Sequence, residues 1–302
     1  MSESAIQLGE TTAIEGVTEA VFAEDETGEW RLTQEAITRW LNSRRKDSTR
    51  GTYEVTIKQF LAYAQKPLET ILPTDIEEWL WHLEQKYKMN TVKGKLSAVK
   101  SFFTFAVRRG YLPTNVGAMV EGSRKPKENL AEKILTREEC LAIINAGKAG
   151  RDRAILKFLY ATGVRVSELC GLRWRDLSPN GGGGQATIYG KGDKTRVVLI
   201  PRSIWLEIAE LPRCNEFVFT NRYETTLSRI AIHKMIKEAV RKSGVDKPVS
   251  AHWFRHSHAT LAIEGGCDLH LLQQSLGHSS LEITSKYLHA RPNQGSSEFL
   301  GL

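Results

Sequence analysis

Residues 30–290 predict a mainly helical protein with one small β-hairpin, divided into two domains. Three observations carry this expectation. Apolar residues recur at helical spacing through residues 30–118. A polar, basic stretch at 119–133 contains Pro126 and has no periodicity. Beyond it, two β-prone runs flank Gly190–Lys194, and helical patterns lie on both sides of them.

The first domain reads as four short helices in a compact bundle. Thr33 is placed to cap a helix carrying Ile37, Trp40 and Leu41. Residues 49–65 place Tyr53, Ile57, Phe60, Leu61 and Ala64 on one face. Thr74-x-x-Glu77 has the form of a capping box and opens a helix with Ile76, Trp79, Leu80 and Leu83. Residues 90–109 line up Leu96, Val99, Phe102, Phe103 and Ala106, then stop at Gly110 with Pro113 beyond.

The stretch 119–133 reads as a linker, so the second domain runs from 134 to 302. Thr136-x-x-Glu139 is another capping box. An apolar helix over 151–162 ends near Gly163. Four glycines at 181–184 mark a flexible turn. Thr187-Ile188-Tyr189 and Val197–Ile200 then form the hairpin strands. Helical patterns return at about 226–243, 254–264, 268–276 and 280–288.

The chain has 302 residues, enough for two cores. No apolar run approaches the roughly 20 residues that a membrane-spanning helix needs. The N-terminus lacks the basic-then-apolar pattern of a secretory signal, so a cytoplasmic protein is expected. Four scattered cysteines, Cys140, Cys170, Cys214 and Cys267, include no CxxC pair and read as thiols in a reducing compartment.

The net charge of +7 is unevenly spread. Residues 1–30 hold eight acidic residues and no Lys or Arg, and 1–29 read as a disordered acidic tail. The other 272 residues carry 42 basic against 27 acidic side chains, a net of +15. A body that basic suits a polyanion, and nucleic acid is the commonest. Arg44, Arg45, Lys46, Arg50, Lys93, Lys95 and Lys100 are candidate phosphate contacts in the first domain. Ser228, Arg229, His233, Lys234 and Lys237 are candidates for groove or phosphate contacts in the second.

Six of the eight histidines fall between 252 and 289. On a helix, His252, Arg255 and His256 share a face. An arginine there repels a cation and suits an anion, which argues against zinc. Gly277 closes a helix, Ser279-x-x-Glu282 caps the next, and His278 sits at the joint. Tyr287 follows late in that last helix. Arg165 stands near the start of another helix, where backbone N–H groups and a guanidinium bind phosphate well, and Glu168 is spaced to orient it.

Two arginines, two histidines, a hairpin lysine and a tyrosine, without a carboxylate cluster for magnesium, suit metal-free phosphoryl transfer. Guanidiniums neutralise charge on the transition state. A phenol becomes a nucleophile once a neighbour takes its proton, and a lysine protonates the departing oxygen.

The order Arg165, Lys191, His252-x-x-Arg255, Leu-Gly-His278, Tyr287 resembles the tyrosine recombinase (phage integrase) family. The strings ATGVRVSELCGLRW, GKGDKTR, HWFRHSHATL and LLQQSLGHSSLEITSKYLH are similar to those of its Xer subgroup. The resemblance covers about residues 31–290, and no catalytic position departs from the pattern. The acidic tail and the glycine run do depart from the simplest members.

The resemblance implies a two-domain clamp on double-stranded DNA, with a SAM-like helical bundle and an α+β catalytic domain. It implies a 3′-phosphotyrosyl intermediate at Tyr287, strand exchange through a Holliday junction in a tetramer, and no need for ATP, metal or other cofactor. Arg165 and Arg255 would hold the phosphate. Lys191 would be the general acid, His252 would assist proton transfer, and His278 would bond the phosphate. Glu168 and His256 would support these residues, and His258, His270 and His289 would be incidental. The apolar end at Phe299, Leu300 and Leu302 would dock in a neighbouring subunit. A translocase or accessory protein is a possible partner, and the DNA site is one specific sequence. Chromosome dimer resolution, mobile-element integration and inversion all fit. Type IB topoisomerase chemistry and an idle DNA-binding fold are the rival readings.

Overall fold

The computed structural model describes residues 30–44, 47–122, 130–190 and 194–288. The acidic tail, Arg45, Lys46, residues 123–129 of the expected linker, Lys191, His289 and the end at 297–302 lie outside the described residues. The chain separates into two compact units, Met1–Lys127 and Glu128–Leu302.

The first unit contains α1 (Arg31–Asn42), α2 (Asp47–Ala64), α3 (Pro73–Lys86), α4 (Met89–Arg108) and the short α5 (Val116–Met119). Its core is aromatic. Trp40 meets Phe102 edge-on at 5.3 Å, and Phe60 meets Trp79 at 5.2 Å. The expected apolar stripe of α4, Leu96 through Ala106, is buried as a whole. Val120, inside the expected linker, is buried in this core too.

Two expected caps are corrected. α1 begins at Arg31, so Thr33 lies inside it, and its buried hydroxyl accepts from Leu68 N–H at 3.3 Å. α3 begins at Pro73, whose missing N–H costs nothing at a helix start. Asp75, rather than Glu77, reaches back to Leu72 N–H at 2.8 Å, and Lys66 bonds the same carboxylate at 2.6 Å.

The basic candidates of this unit divide by helix geometry. Lys93 and Lys100 are seven residues apart and share a face of α4. Lys95 lies about 200° around the helix from Lys93 at 3.6 residues per turn. It packs 5.1 Å from the Tyr87 ring centroid and bonds Gln59. Lys95 thus lies on a different face of α4 from Lys93 and Lys100. Arg44 also packs inward, over Trp40 at 5.3 Å and Tyr53 at 5.6 Å. Arg50 is exposed on α2.

The second unit contains α6 (Arg137–Ala146), α7 (Arg151–Thr162), α8 (Val166–Cys170), β1 (Leu177–Asn180), β2 (Gly183–Tyr189), β3 (Thr195–Ile200), α9 (Arg202–Ala209), α10 (Arg229–Ser243), α11 (Ala251–Glu264), α12 (Leu269–Leu276) and α13 (Leu281–Ser285). The Thr136–Glu139 capping box opens α6 as expected. Phe158, Phe219 and Phe254 centre a core that includes the inward faces of β2 and β3.

The sheet has three antiparallel strands in the order β1-β2-β3, one more than the expected hairpin. The glycine run does two jobs. Gly181 and Gly182 make the turn at φ of 54° and 80°. Gly183 and Gly184 are strand, and their lack of a side chain is a packing need. A Cβ at Gly184 would lie 1.9 Å from the Trp205 ring, and one at Gly183 would lie 2.5 Å from the Ile200 carbonyl.

Gly184→Val is expected to lower the unfolding free energy by about 1–3 kcal/mol through overpacking. The measurement is the urea midpoint at unchanged slope. An unchanged midpoint would contradict this packing.

Candidate active site

Two helix C-termini build the floor of the site. α7 ends at Gly163 in the left-handed region (φ 60°), and α12 ends at Gly277 in the same region (φ 65°), as their glycines predict. Gly163 is also a close approach, since a Cβ there would lie 2.7 Å from the His258 ring. His258 is thus a packing element, and its Nδ1 lies 2.9 Å from the Tyr160 carbonyl.

Arg255, on α11 and 5% exposed, joins the two ends. Its Nη1 donates to the Gly163 carbonyl and its Nη2 to the Leu276 carbonyl, each at 2.6 Å. Helix C-termini carry partial negative charge, so a guanidinium is the natural partner. Burial, then the repulsion of Arg165, lowers the Arg255 pKa to about 10, which leaves it charged at neutral pH.

Arg165 leads into α8, which is only five residues long. The expected helix-end anion site is weaker than the sequence suggests. Arg165 N–H, one of its donors, already bonds Glu168 Oε2 at 2.8 Å. What remains is the side chain: Arg165 Nη1 donates to Glu168 Oε1 at 3.0 Å, and the guanidinium is 37% exposed. Glu168 orients Arg165 as expected, but Arg196 holds it as well, at 3.0 and 2.7 Å. Burial disfavours the Glu168 charge, yet the hydrogen bonds from Arg196 and the Arg165 backbone outweigh it and hold the carboxyl below its ordinary range.

α13 is shorter than expected, and Ser279–Glu282 forms no capping box; Ser280 is the N-cap, without a side-chain bond. Tyr287 therefore lies in the turn after the helix, not within it. Its ring is buried against Ala259, Leu272 and Leu276. Its hydroxyl lies 2.9 Å from His256 Nδ1. Burial raises the phenol pKa, while Arg255 and Arg165 pull it back.

His278 stacks near Tyr287, with centroids 6.2 Å apart, and its Nδ1 lies 2.9 Å from the hydroxyl of Thr284. Burial, followed by repulsion from Arg255, Arg165 and Arg196, lowers its pKa to about 4. His252 is exposed on the rim, and desolvation, Arg255, Arg165 and His233 lower its pKa too.

Arg165, His252, Arg255, His256, His278 and Tyr287 line one cavity of about 620 Å³. Gly190 and Lys194, which flank the undescribed 191–193, line it as well. Arg229 and His233 are exposed on α10. Sequence reasoning missed Arg196, which lines the cavity, and Thr284, which bonds His278. A charged residue at an inward-facing position of alternating β3 was the available signal for Arg196.

This fold and cavity define a tyrosine recombinase of the phage integrase family, and the chain belongs to that family. The Phage integrase family model matches residues 133–294, and the Phage integrase, N-terminal SAM-like domain model matches 35–110. Among curated relatives, tyrosine recombinase XerD of Chlorobaculum tepidum is 33% identical over 86% of this chain and 92% of its own. XerC of Chlamydia muridarum is 33% identical over 70% of each. Two solved structures share the fold. One is XerH recombinase bound to a palindromic difH substrate (TM-score 0.67, 24% identity, 80% of this chain and 75% of that one). The other is a lambda integrase tetramer bound to a Holliday junction (TM-score 0.71, 21% identity, 88% and 78%). Among the described residues, no helix is long and apolar enough to cross a membrane.

The His278 ring is expected to titrate near pH 4 by NMR, against about 6.5 for an unperturbed histidine. Unfolding then takes up a proton between those values. Its contribution to stability is full above pH 6.5 and is lost as pH falls toward 4. A folded-state ring titrating near 6.5 would contradict the site's electrostatics.

Proposed function

We propose that the protein is a site-specific recombinase that cuts and rejoins double-stranded DNA through a 3′-phosphotyrosyl bond at Tyr287. Arg165 and Arg255 hold the nonbridging oxygens of the scissile phosphate. A guanidinium has five N–H groups, and Arg255 commits two to carbonyls, so the buried side chain retains donors for an anion. The Tyr287 oxygen forms a bond to phosphorus while the bond to the 5′ oxygen breaks. Lys191 protonates that departing oxygen, and His252 assists in moving the phenolic proton. His278, neutral at physiological pH, donates a hydrogen bond to the phosphate.

The observation that carries this reading is the convergence of Arg165, His252, Arg255, His278 and Tyr287 on one cavity from four separate stretches of chain. The reaction conserves the phosphodiester energy in the protein–DNA bond, so rejoining is its reversal. Similarity to proteins named XerD and XerC supports an Xer-type recombinase. Exchange through a Holliday junction in a tetramer of one or two recombinases belongs to the same proposal, with chromosome dimer resolution as the proposed role and phage or mobile-element integration as the alternative. The protein then acts in the cytoplasm on the nucleoid, with a translocase or accessory protein as a further partner. Exposed Arg50 and half-buried Lys93 and Lys100 in the first unit, and exposed Arg229 and His233 in the second, contact backbone or groove.

Wild-type protein is expected to form an SDS-resistant adduct on nicked suicide DNA. Tyr287→Phe forms none while binding DNA with nearly unchanged affinity. An adduct formed by Tyr287→Phe would contradict the assignment.

A further inference from the structure

Arg196 sits on β3 where alternation turns side chains inward. Its neighbours in that row, Val198 and Ile200, are buried in the core. Arg196 instead turns its guanidinium to three acceptors. Nη1 and Nη2 bond the two oxygens of Glu168 at 3.0 and 2.7 Å, and Nε bonds the Ser275 carbonyl at 2.7 Å. Its side chain is 10% exposed, and its Cδ lies 3.1 Å from where a Cβ on Gly277 would stand. Only a planar fork reaches three acceptors in this way; a lysine is a point charge on a flexible stem.

The consequence lies with Glu168. Its side chain is 4% exposed and charged, so it needs cationic partners. Arg196 supplies two hydrogen bonds, which leaves Arg165 to give a single side-chain bond. Without Arg196, Glu168 would draw the Arg165 guanidinium onto itself and away from an anion in the cavity. The Ser275 bond meanwhile pins the turn that carries Gly277 and His278.

We infer that Arg196 is a positioning residue for strand cleavage. It acts through Glu168, whose charge it satisfies so that Arg165 stays available to the phosphate, and through Ser275, which sets His278. This rests on the phosphate-binding roles proposed for Arg165 and His278.

The test is a double-mutant cycle in the full chain. Covalent-adduct rates are read at saturating protein on nicked suicide duplexes carrying the sequence at which wild-type protein is captured on chromosomal DNA. Arg196→Ala is expected to slow adduct formation about 10–100-fold, the range that a misplacement near 1 Å produces. DNA affinity stays within about threefold, since the phosphate contacts that dominate it lie elsewhere. Glu168→Gln removes the charge that captures Arg165, so the double variant forms adduct faster than Arg196→Ala alone. Arg196→Lys, which keeps the cation and folds more readily, is expected to be slowed less, and again to be relieved by Glu168→Gln. If losing Arg196 costs as much in the Glu168→Gln background as in the wild-type one, Arg196 acts independently of Glu168 and the inference fails. A wild-type rate in both Arg196 variants overturns it too. If wild-type protein forms no adduct at all, the recombinase site itself is refuted, and this inference with it.

Discussion

Arg255 donates to the Gly163 carbonyl and to the Leu276 carbonyl, and the site depends on that pair of bonds. They bring together the end of α7, the second turn of α11 and the end of α12. Arg165 follows Gly163 by two residues, and His278 follows Leu276 by two. His252 and His256 flank Arg255 on its own helix. One buried cation thus sets the spacing of groups that lie far apart in the chain. Burying a guanidinium is costly unless its bonds are made. Two helix C-termini satisfy it with backbone carbonyls, which have no rotamer freedom to lose.

The electrostatics follow from that choice. Arg165 and Arg196 share one buried carboxylate, Glu168, while Arg255 bonds two backbone carbonyls. The surplus of positive charge favours an anion in the cavity. Burial first, and that charge second, lower the pKa values of His278 and His252 and leave His278 neutral at physiological pH. The same charge opposes the effect of burial on Tyr287, whose phenolate would be the attacking form. A neutral imidazole can donate through one nitrogen and accept through the other, which suits proton movement around a phosphate.

Much of this was legible in the sequence. Helix-ending glycines are local signals, and Gly163 and Gly277 were readable because the left-handed conformation has few alternatives. The motif order located five of the residues that line the cavity. Features that depend on distant partners were not legible. β1 is four residues, Leu177-Ser-Pro-Asn, and becomes a strand only by pairing with β2. Gly183 and Gly184 are glycines because of Ile200 and Trp205, which the local run does not reveal. Thr33, Thr74 and Ser279 match capping patterns, but neighbouring residues start those helices. Lys95 looks like its neighbours in sequence, yet helix geometry turns it onto Tyr87. Arg196 and Thr284 are defined by what they bond, and Glu168 and His278 lie elsewhere in the chain.

The central claim is that this arginine-built cavity presents a DNA phosphate to Tyr287. The most direct measurement is chemical mapping of the trapped complex. Adduct formed on suicide DNA is digested with nuclease and protease, and the modified peptide is sequenced by mass spectrometry. The account requires a nucleotide joined through its 3′ phosphate to Tyr287, with a 5′-hydroxyl on the released strand. A nucleotide on any other residue, or a 5′-phosphate linkage, would contradict it.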